Sequence, residues 1–226
     1  WAAHAPLILS SSDLVYRSAV LNHLARSARH LDRVADKTRP GTGQLVAWIG
    51  IVAASLLMPG GEPRQVFGEA GLRKVIETSF YADGGNIARS PQAQLDAVMA
   101  LSMLARIYDM RRMEVPPFLQ EVLARTVPAL LGLVHSDGGM GSWQGSGATS
   151  AAHIQAVVGA SGVRTRPLKQ ARDWGYQRLV ANKVVLLADA APPPIARVTE
   201  AGCASTLAFE LSDGDERIVV NCGGAA

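Results

Sequence analysis

Through the first three-quarters of the chain, apolar residues recur every three or four positions; from about Tyr176 onward they recur every two. The pattern predicts a helical array followed by antiparallel β-structure. Asp13 is placed to cap a helix in which Leu14, Leu21, Leu24, Ala28 and Leu31 share one side, with Arg17, Arg26, Arg29 and Arg33 on others. Gln44 to Met58 is apolar almost throughout and closes at Pro59-Gly60-Gly61, which predicts a buried helix. A helix from Pro63 to Tyr81 would face inward through Val66, Leu72, Val75, Ile76 and Phe80. Ser90-Pro91 opens another, with Val98, Leu101, Leu104 and Tyr108 in one stripe and proline at the favoured first position. Pro116-Pro117 opens the next, where Leu119, Val122, Val127, Leu130 and Val134 point inward and Pro128 is set to bend the rod. A short helix follows from Ala151 to Val158.

Tyr176–Val180 and Val184–Ala188 flank Ala181-Asn182-Lys183 and predict a hairpin. Beyond the loop Pro192-Pro193-Pro194, Leu207, Phe209 and Leu211 alternate with Ala208 and Glu210; after a turn over Ser212–Glu216, Ile218, Val220 and Cys222 alternate again. Such strands make a sheet with at least one wet face, and four of them leave an edge in need of further strands. Asp83-Gly84-Gly85 and Asp137-Gly138-Gly139 lie 54 residues apart, about one helical hairpin plus its loops. They are either equivalent corners of a repeat or two ordinary turns.

The chain has 226 residues, 48% of them hydrophobic but only 5% aromatic, a composition that favours close-packed helices over an aromatic-rich carbohydrate-binding sandwich. Its net charge of +3 and pI near 9.1 come from scattered arginines with no basic tail. That balance suits an acidic polysaccharide or oligosaccharide as partner and gives no support to nucleic acid. Leu45 to Met58, the longest apolar run, is short of the roughly 20 residues that a membrane helix needs, so no transmembrane segment is expected. Cys203 and Cys222 would pair only if their strands are neighbours. A chain that begins at Trp1 and stops just after a strand reads as a piece of something longer.

Gly-x-Ser-x-Gly, P-loop, His-Glu-x-x-His and Cys-x-x-Cys motifs are absent, and no cofactor is called for. His4, His23, His30, His135 and His153 share no metal-ligand spacing, so no metal site is expected. Arg89 stands at a loop-to-helix corner, where it could hold a carboxylate or sulfate or pair with Asp83. Trp143 and Gln144, in a loop of glycines, offer a stacking face and an amide, although a tryptophan there equally suits a core. With Gln94 they complete the candidate substrate-binding set Arg89, Gln94, Trp143 and Gln144. Tyr176 has the chemistry of an acid/base and the strand position of a packing residue.

Asp83 to Pro91, Asp137 to Gly147 and Gly202 to Gly224, in that order, resemble the corresponding stretches of heparinase II/III-like proteins, and the likeness extends from Ser10 to Gly224. The resemblance implies an α+β architecture: a partial α/α toroid over residues 1–172, then the first antiparallel strands of a β-sandwich over 173–226, in the periplasm or cell envelope. Lyases of this kind cleave acidic glycans by β-elimination, which needs the uronate carboxylate neutralised, the C5 proton removed and the departing O4 protonated. The family uses an Asn-His pair on an inner helix, a Tyr after the Ser-Pro helix start, and a His entering the strand before Phe-Glu-Leu. Here those slots fall on Gly43-Gln44, on Ala93 or Gln94, and near Cys203, and none supplies an acid/base pair. Asn22-His23 has the family's letters at the wrong place. A polysaccharide lyase relative with its catalytic residues missing is implied, or else a glycan-binding or envelope scaffold.

Overall fold

The structure is a computed structural model that describes residues 5–199 and 202–221. Among the described residues seven α-helices precede four strands: α1 Ala5–Ser10, α2 Leu14–Val34, α3 Thr42–Leu57, α4 Glu62–Ser79, α5 Pro91–Met110, α6 Pro117–Gly132, α7 Ala151–Ser161, then β1 Tyr176–Ala181, β2 Val184–Asp189, β3 Phe209–Asp213 and β4 Glu216–Val219. The toroid-type helical array and the antiparallel sheet are both present. The short helix α1 had no counterpart in the periodicity.

The helix starts are set by local chemistry. Asp13 accepts from Tyr16 N at 2.9 Å, and the Ser90 and Ser150 hydroxyls cap α5 and α7, so donors left over at each first turn are satisfied. The helix α3 is central: α4 and α5 pack on it, and α6 and α7 pack on α5. Leu45, Ile49, Ile51, Val52, Leu72, Leu95, Leu101 and Leu104 form the heart of the core, all at most 1% exposed. Each such side chain contributes about 1.5–3 kcal/mol by leaving water. Gly71 lets α4 close on the Trp48 ring, where an added methyl would fall 2.0 Å from a ring carbon.

Two predicted inner stripes are corrected. In α2 only Ala28 is buried, while Leu14 and Leu21 are 70% and 41% exposed. The helix packs on α3 and on a 3-10 turn at Ala35–Lys37. Val66 in α4 is likewise 74% exposed. The helix α6 runs on through Pro128 to Gly132.

The sheet order is β1-β2-β3-β4, each neighbour antiparallel, with Leu179 opposite Leu186 and Leu186 opposite Leu211. The turn between β3 and β4 is shorter than expected, because Ser212 and Asp213 belong to β3. The face that packs against the helices carries Val185, Leu187, Asp189, Glu210 and Ser212, all buried. In β3 the polar residues point in, and Phe209 is 46% exposed. Val220 lies just outside β4, and Cys222 lies outside the described residues.

The two Asp-Gly-Gly triplets are equivalent corners. In the first, Tyr81 N donates to Gly85 O at 2.8 Å and Gly84 N to Tyr81 O at 2.9 Å; in the second, His135 N donates to Gly139 O at 2.9 Å and Gly138 N to His135 O at 3.0 Å. Gly84 and Gly138 sit at φ +88° and +80°, which residues with a Cβ rarely adopt. In each, the aspartate accepts from the second glycine's N–H, and both corners face the sheet.

Candidate functional site

The helical array and the sheet meet at a seam of buried polar groups, and the sequence-predicted site residues lie along it. Arg89, 2% exposed, has a left-handed backbone at φ +54° that turns its side chain away from α5. Its guanidinium donates to Trp174 O at 2.9 Å, to the carbonyl of Pro192 and to the Asp189 carboxylate. Asp189, not Asp83, is therefore its partner. Asp83 instead accepts from Asp173 N and Trp174 N at 2.9 and 2.8 Å. Gln144, at φ +51°, reaches the same carboxylate from the second corner: its Nε2 donates to Ser205 Oγ at 2.7 Å and to Asp189 at 3.4 Å. Ser205 Oγ in turn donates to Asp189 at 2.5 Å. Asp189 is thus a buried anion held by one cation and by neutral donors, the arrangement that lets a carboxylate stay buried.

Trp143 is fully buried, 5.4 Å from the Tyr176 ring and covered by Gly141, so of its two expected roles the structure shows the core one. Gln94, also fully buried, accepts from Asn86 N at 2.7 Å and donates to the carbonyls of Gly84 and Thr126. Tyr176 donates its hydroxyl to Arg89 O at 2.7 Å; burial first, and then the Asp189 charge, push its pKa well above the ordinary tyrosine value. A phenol so placed is a packing group.

A second polar cluster ties the other corner to the sheet, and sequence reasoning missed it. His135 has Nδ1 2.9 Å from Ser212 Oγ and Nε2 2.8 Å from Glu210, with all three residues at most 3% exposed. Glu210 also accepts from Ser142 N, and Arg217 forks onto Asp137 at 2.7 and 2.9 Å. The only signal in the sequence was Glu210 alternating with apolar neighbours. Among the described residues no group of three His, Cys, Asp or Glu could hold a metal ion, and no helix is long and apolar enough to cross a membrane.

A cleft of about 490 Å³ opens beside the seam. Thr38, Arg39, Thr42 and Gly43 form one wall, and Ser90, Gln92, Ala93 and Asp96 another; Gln144 and Gly145 with Val198 and Thr199 complete it. Some of the positions that the resemblance assigns to the lyase slots lie here, although Gln44 and Gln94 are not in the lining. Gly43 and Ala93 line the cleft directly, and Cys203 donates its N–H to Gln144 Oε1 at 2.8 Å, with Sγ 3.6 Å from the same oxygen. Of the four residues expected to hold substrate, only Gln144 borders the cleft among the described residues, and all four spend their side chains inside the protein. Asn22 and His23 sit on the exposed side of α2, and Asn22 borders a surface hollow with Arg26 and Arg29 instead. Among the described residues, the ionisable side chains in the cleft lining are Arg39 and Asp96.

Residues 163–226 match the family described as heparinase II/III-like, C-terminal. A curated relative, FtsZ-localized protein C of Caulobacter vibrioides (strain NA1000 / CB15N), is 26% identical over 200 residues, which covers 88% of this chain and 34% of that protein. Among solved structures, Heparinase III aligns with a TM-score of 0.69 at 12% identity, over 95% of this chain and 40% of its own. The heparan sulfate lyase HepC from Pedobacter heparinus aligns with a TM-score of 0.65 at 16% identity, over 92% and 36%. The chain spans about a third of the length of the curated relative, and at these identities the structural likeness is one of fold.

Proposed function

We infer that the chain, whose residues 163–226 match the heparinase II/III-like C-terminal family, is a lyase-fold module that keeps a glycan-sized cleft and has lost the acid/base groups of β-elimination. On this view residues 1–172 are the toroid part and 173–226 open the β-sandwich. The observation that carries the inference is the content of the cleft walls where the family has its Asn-His, Tyr and His. Gly43 has no side chain and Ala93 only a methyl; Gln44 and Gln94, the other positions assigned to those slots, carry neutral amides outside the lining, and Cys203 contacts the Gln144 amide. Elimination needs a base at C5 and an acid at O4 within hydrogen-bond reach of substrate. Among the described residues Asp96, held by Gln92 Nε2 at 2.8 Å, is the one carboxylate in the lining.

A scaffold or binding role is favoured over turnover by the curated relative, whose name describes where it is localised and not a reaction. Arg89, the anion anchor expected for an acidic glycan, is committed to Asp189. The test is to incubate the protein with heparan sulfate, alginate, hyaluronan and chondroitin and follow ultraviolet absorbance of the unsaturated uronate product. No product is expected. Turnover that disappears when Asn22 or His23 is changed would overturn the assignment of the slots to the cleft.

A further inference from the structure

We propose that the cleft is the polar half of a longer trough whose apolar half holds a hydrocarbon chain, so that the ligand is a glycolipid, a sugar head on a hydrocarbon tail. The proposal rests on the reading of the cleft as a glycan site and adds the tail to it.

The apolar half is a second cavity, of about 200 Å³. Leu24 and Leu31 of α2, Ala54 and Leu57 of α3, and Met103 and Ile107 of α5 line it. The same three stretches of chain, continued, bound the cleft: Thr38 and Pro40 beyond α2, Thr42 and Gly43 at the start of α3, and Gln92 and Asp96 at the start of α5. The first turns of α3 and α5 share one cavity and their later turns share the other, so the two helices run side by side in the same direction.

Helical spacing carries each lining from one cavity to the other. On α3, Gly43, Val46, Gly50, Ala54 and Leu57 recur every three or four residues; on α5, Gln92, Asp96, Met99, Met103 and Ile107 do the same. Each set is one face of its helix. Val46 and Met99 stand between the two cavities and are 46% and 44% exposed, so the face stays open from one to the other among the described residues. At 1.5 Å of rise per residue, Gly50 lies about 10 Å from Gly43 and Leu57 about 20 Å from it.

The chemistry changes along that length. At the cleft end, Thr42 Oγ1 accepts from Asn86 Nδ2 at 3.4 Å and keeps its own proton to donate, while Asp96, which accepts from Gln92 Nε2 at 2.8 Å, keeps further lone pairs. A donor and an acceptor on neighbouring helices suit a sugar hydroxyl, which is both. In the far cavity the lining is hydrocarbon and thioether, with Ser27 its one side-chain hydroxyl among the described residues. Water there finds few polar partners, whereas an alkyl chain gains by leaving water. Gly50 and Ala54 leave the space that the tail fills, and Met58 and Met103 have the unbranched side chains that adapt to one. The cavity is smaller than the roughly 300–1,000 Å³ of pockets that take drug-sized molecules, which suits a chain one carbon wide.

Calorimetry on the 226-residue chain compares maltose, the head alone, with hexyl, octyl and decyl maltoside, each below its micelle-forming concentration. Binding should tighten about fivefold or more with each added pair of methylenes, since one fully buried methylene is worth about fourfold. A decyl ether of tetraethylene glycol supplies the tail without sugar and should bind about tenfold more weakly than decyl maltoside. Met103→Glu sets a charge at an exposed point of the apolar half and should remove the gain from chain length. Gly43 is exposed and a Cβ there meets only ordinary contact, so Gly43→Trp blocks the cleft end and should weaken decyl maltoside about tenfold. Melting curves establish that both variants fold, and the chain-length series on the parent stands without them. If affinity is independent of chain length, or the gain survives Met103→Glu, the tail is wrong, and maltose binding that Gly43→Trp blocks would leave the glycan site standing. If the sugar-free ether binds as tightly as decyl maltoside, or no maltoside binds, the reading of the cleft as a glycan site fails and takes the proposal with it.

Discussion

The Asp83 and Asp137 corners share a turn but grip the sheet by different chemistry. Each has an aspartate that accepts from the second glycine, a first glycine at positive φ, and a residue at φ near +50° that sends its side chain to Asp189. The first corner delivers an arginine; the second delivers a glutamine. The aspartates differ as well, since Asp83 takes two main-chain N–H groups from Asp173 and Trp174, whereas Asp137 takes the fork of Arg217. One repeat therefore holds the sheet by a charge inside and a neutral cap outside, and the other reverses the two. The repeat fixes where a side chain departs from the helical array, and the residue at that point decides what kind of bond crosses the seam.

The sharpest way to break this comparison is to remove the two side chains that meet at Asp189. Arg89→Ala leaves a fully buried carboxylate without its cation and should cost about 3–5 kcal/mol. Gln144→Ala removes only neutral donors and should cost about 1–3 kcal/mol. Denaturant unfolding of both variants gives the two values. Equal losses would mean that charge is not what separates the corners.

A smaller difference is expected at the second glycines. A methyl at Gly85 would lie 2.0 Å from the buried Trp174 ring, which has nowhere to go, so Gly85→Ala should cost about 1–3 kcal/mol. At Gly139 the nearest atom, 2.7 Å away, is the far end of Arg217, which can swing aside, and the loss should stay below about 1 kcal/mol. Thermal melts that rank Gly139→Ala as the worse variant would show the Arg217 fork to be the stiffer neighbour.

The smallest effect concerns acid. The hydrogen bond from Arg217, aided by the Gly139 N–H and the Arg217 charge, holds the Asp137 carboxyl below its ordinary value against the opposing push of burial. A carboxylate whose folded pKa is depressed contributes stability above its unfolded pKa and loses that contribution as pH falls through it toward the folded value. The contribution should therefore be intact above about pH 4 and fade below it. Arg217→Gln removes the cause, so its melting temperature should fall less steeply than the parent's between about pH 4 and pH 2.5. Parallel acid limbs would assign the acid sensitivity to other groups.

The helical elements were legible because each carries its own stop and start. Asp13, Ser90-Pro91 and Pro116-Pro117 mark helix starts that the structure keeps, and the stripe Val98, Leu101, Leu104 and Tyr108 is buried as its spacing implies. The glycine triplets announced two corners because their turns need a backbone that few residues tolerate. The candidate site was legible only in outline. Gln144 borders the cleft, but its side chain, like those of Arg89, Gln94 and Trp143, turned inward, because each found partners that no local pattern names.

Periodicity by itself determined which residues share a face, and so the order of helices, hairpin and strands. It did not determine which face is inside. In β3 the apolar set is the outer one, because Glu210 and Ser212 meet His135, 75 and 77 residues earlier in the chain, and a fully partnered carboxylate can be buried where a lone one cannot. Arg89 was likewise committed by Asp189, 100 residues on. Burial of a polar group depends on the partner that the fold brings to it, and that pairing exists only once the helical array and the sheet have closed on each other.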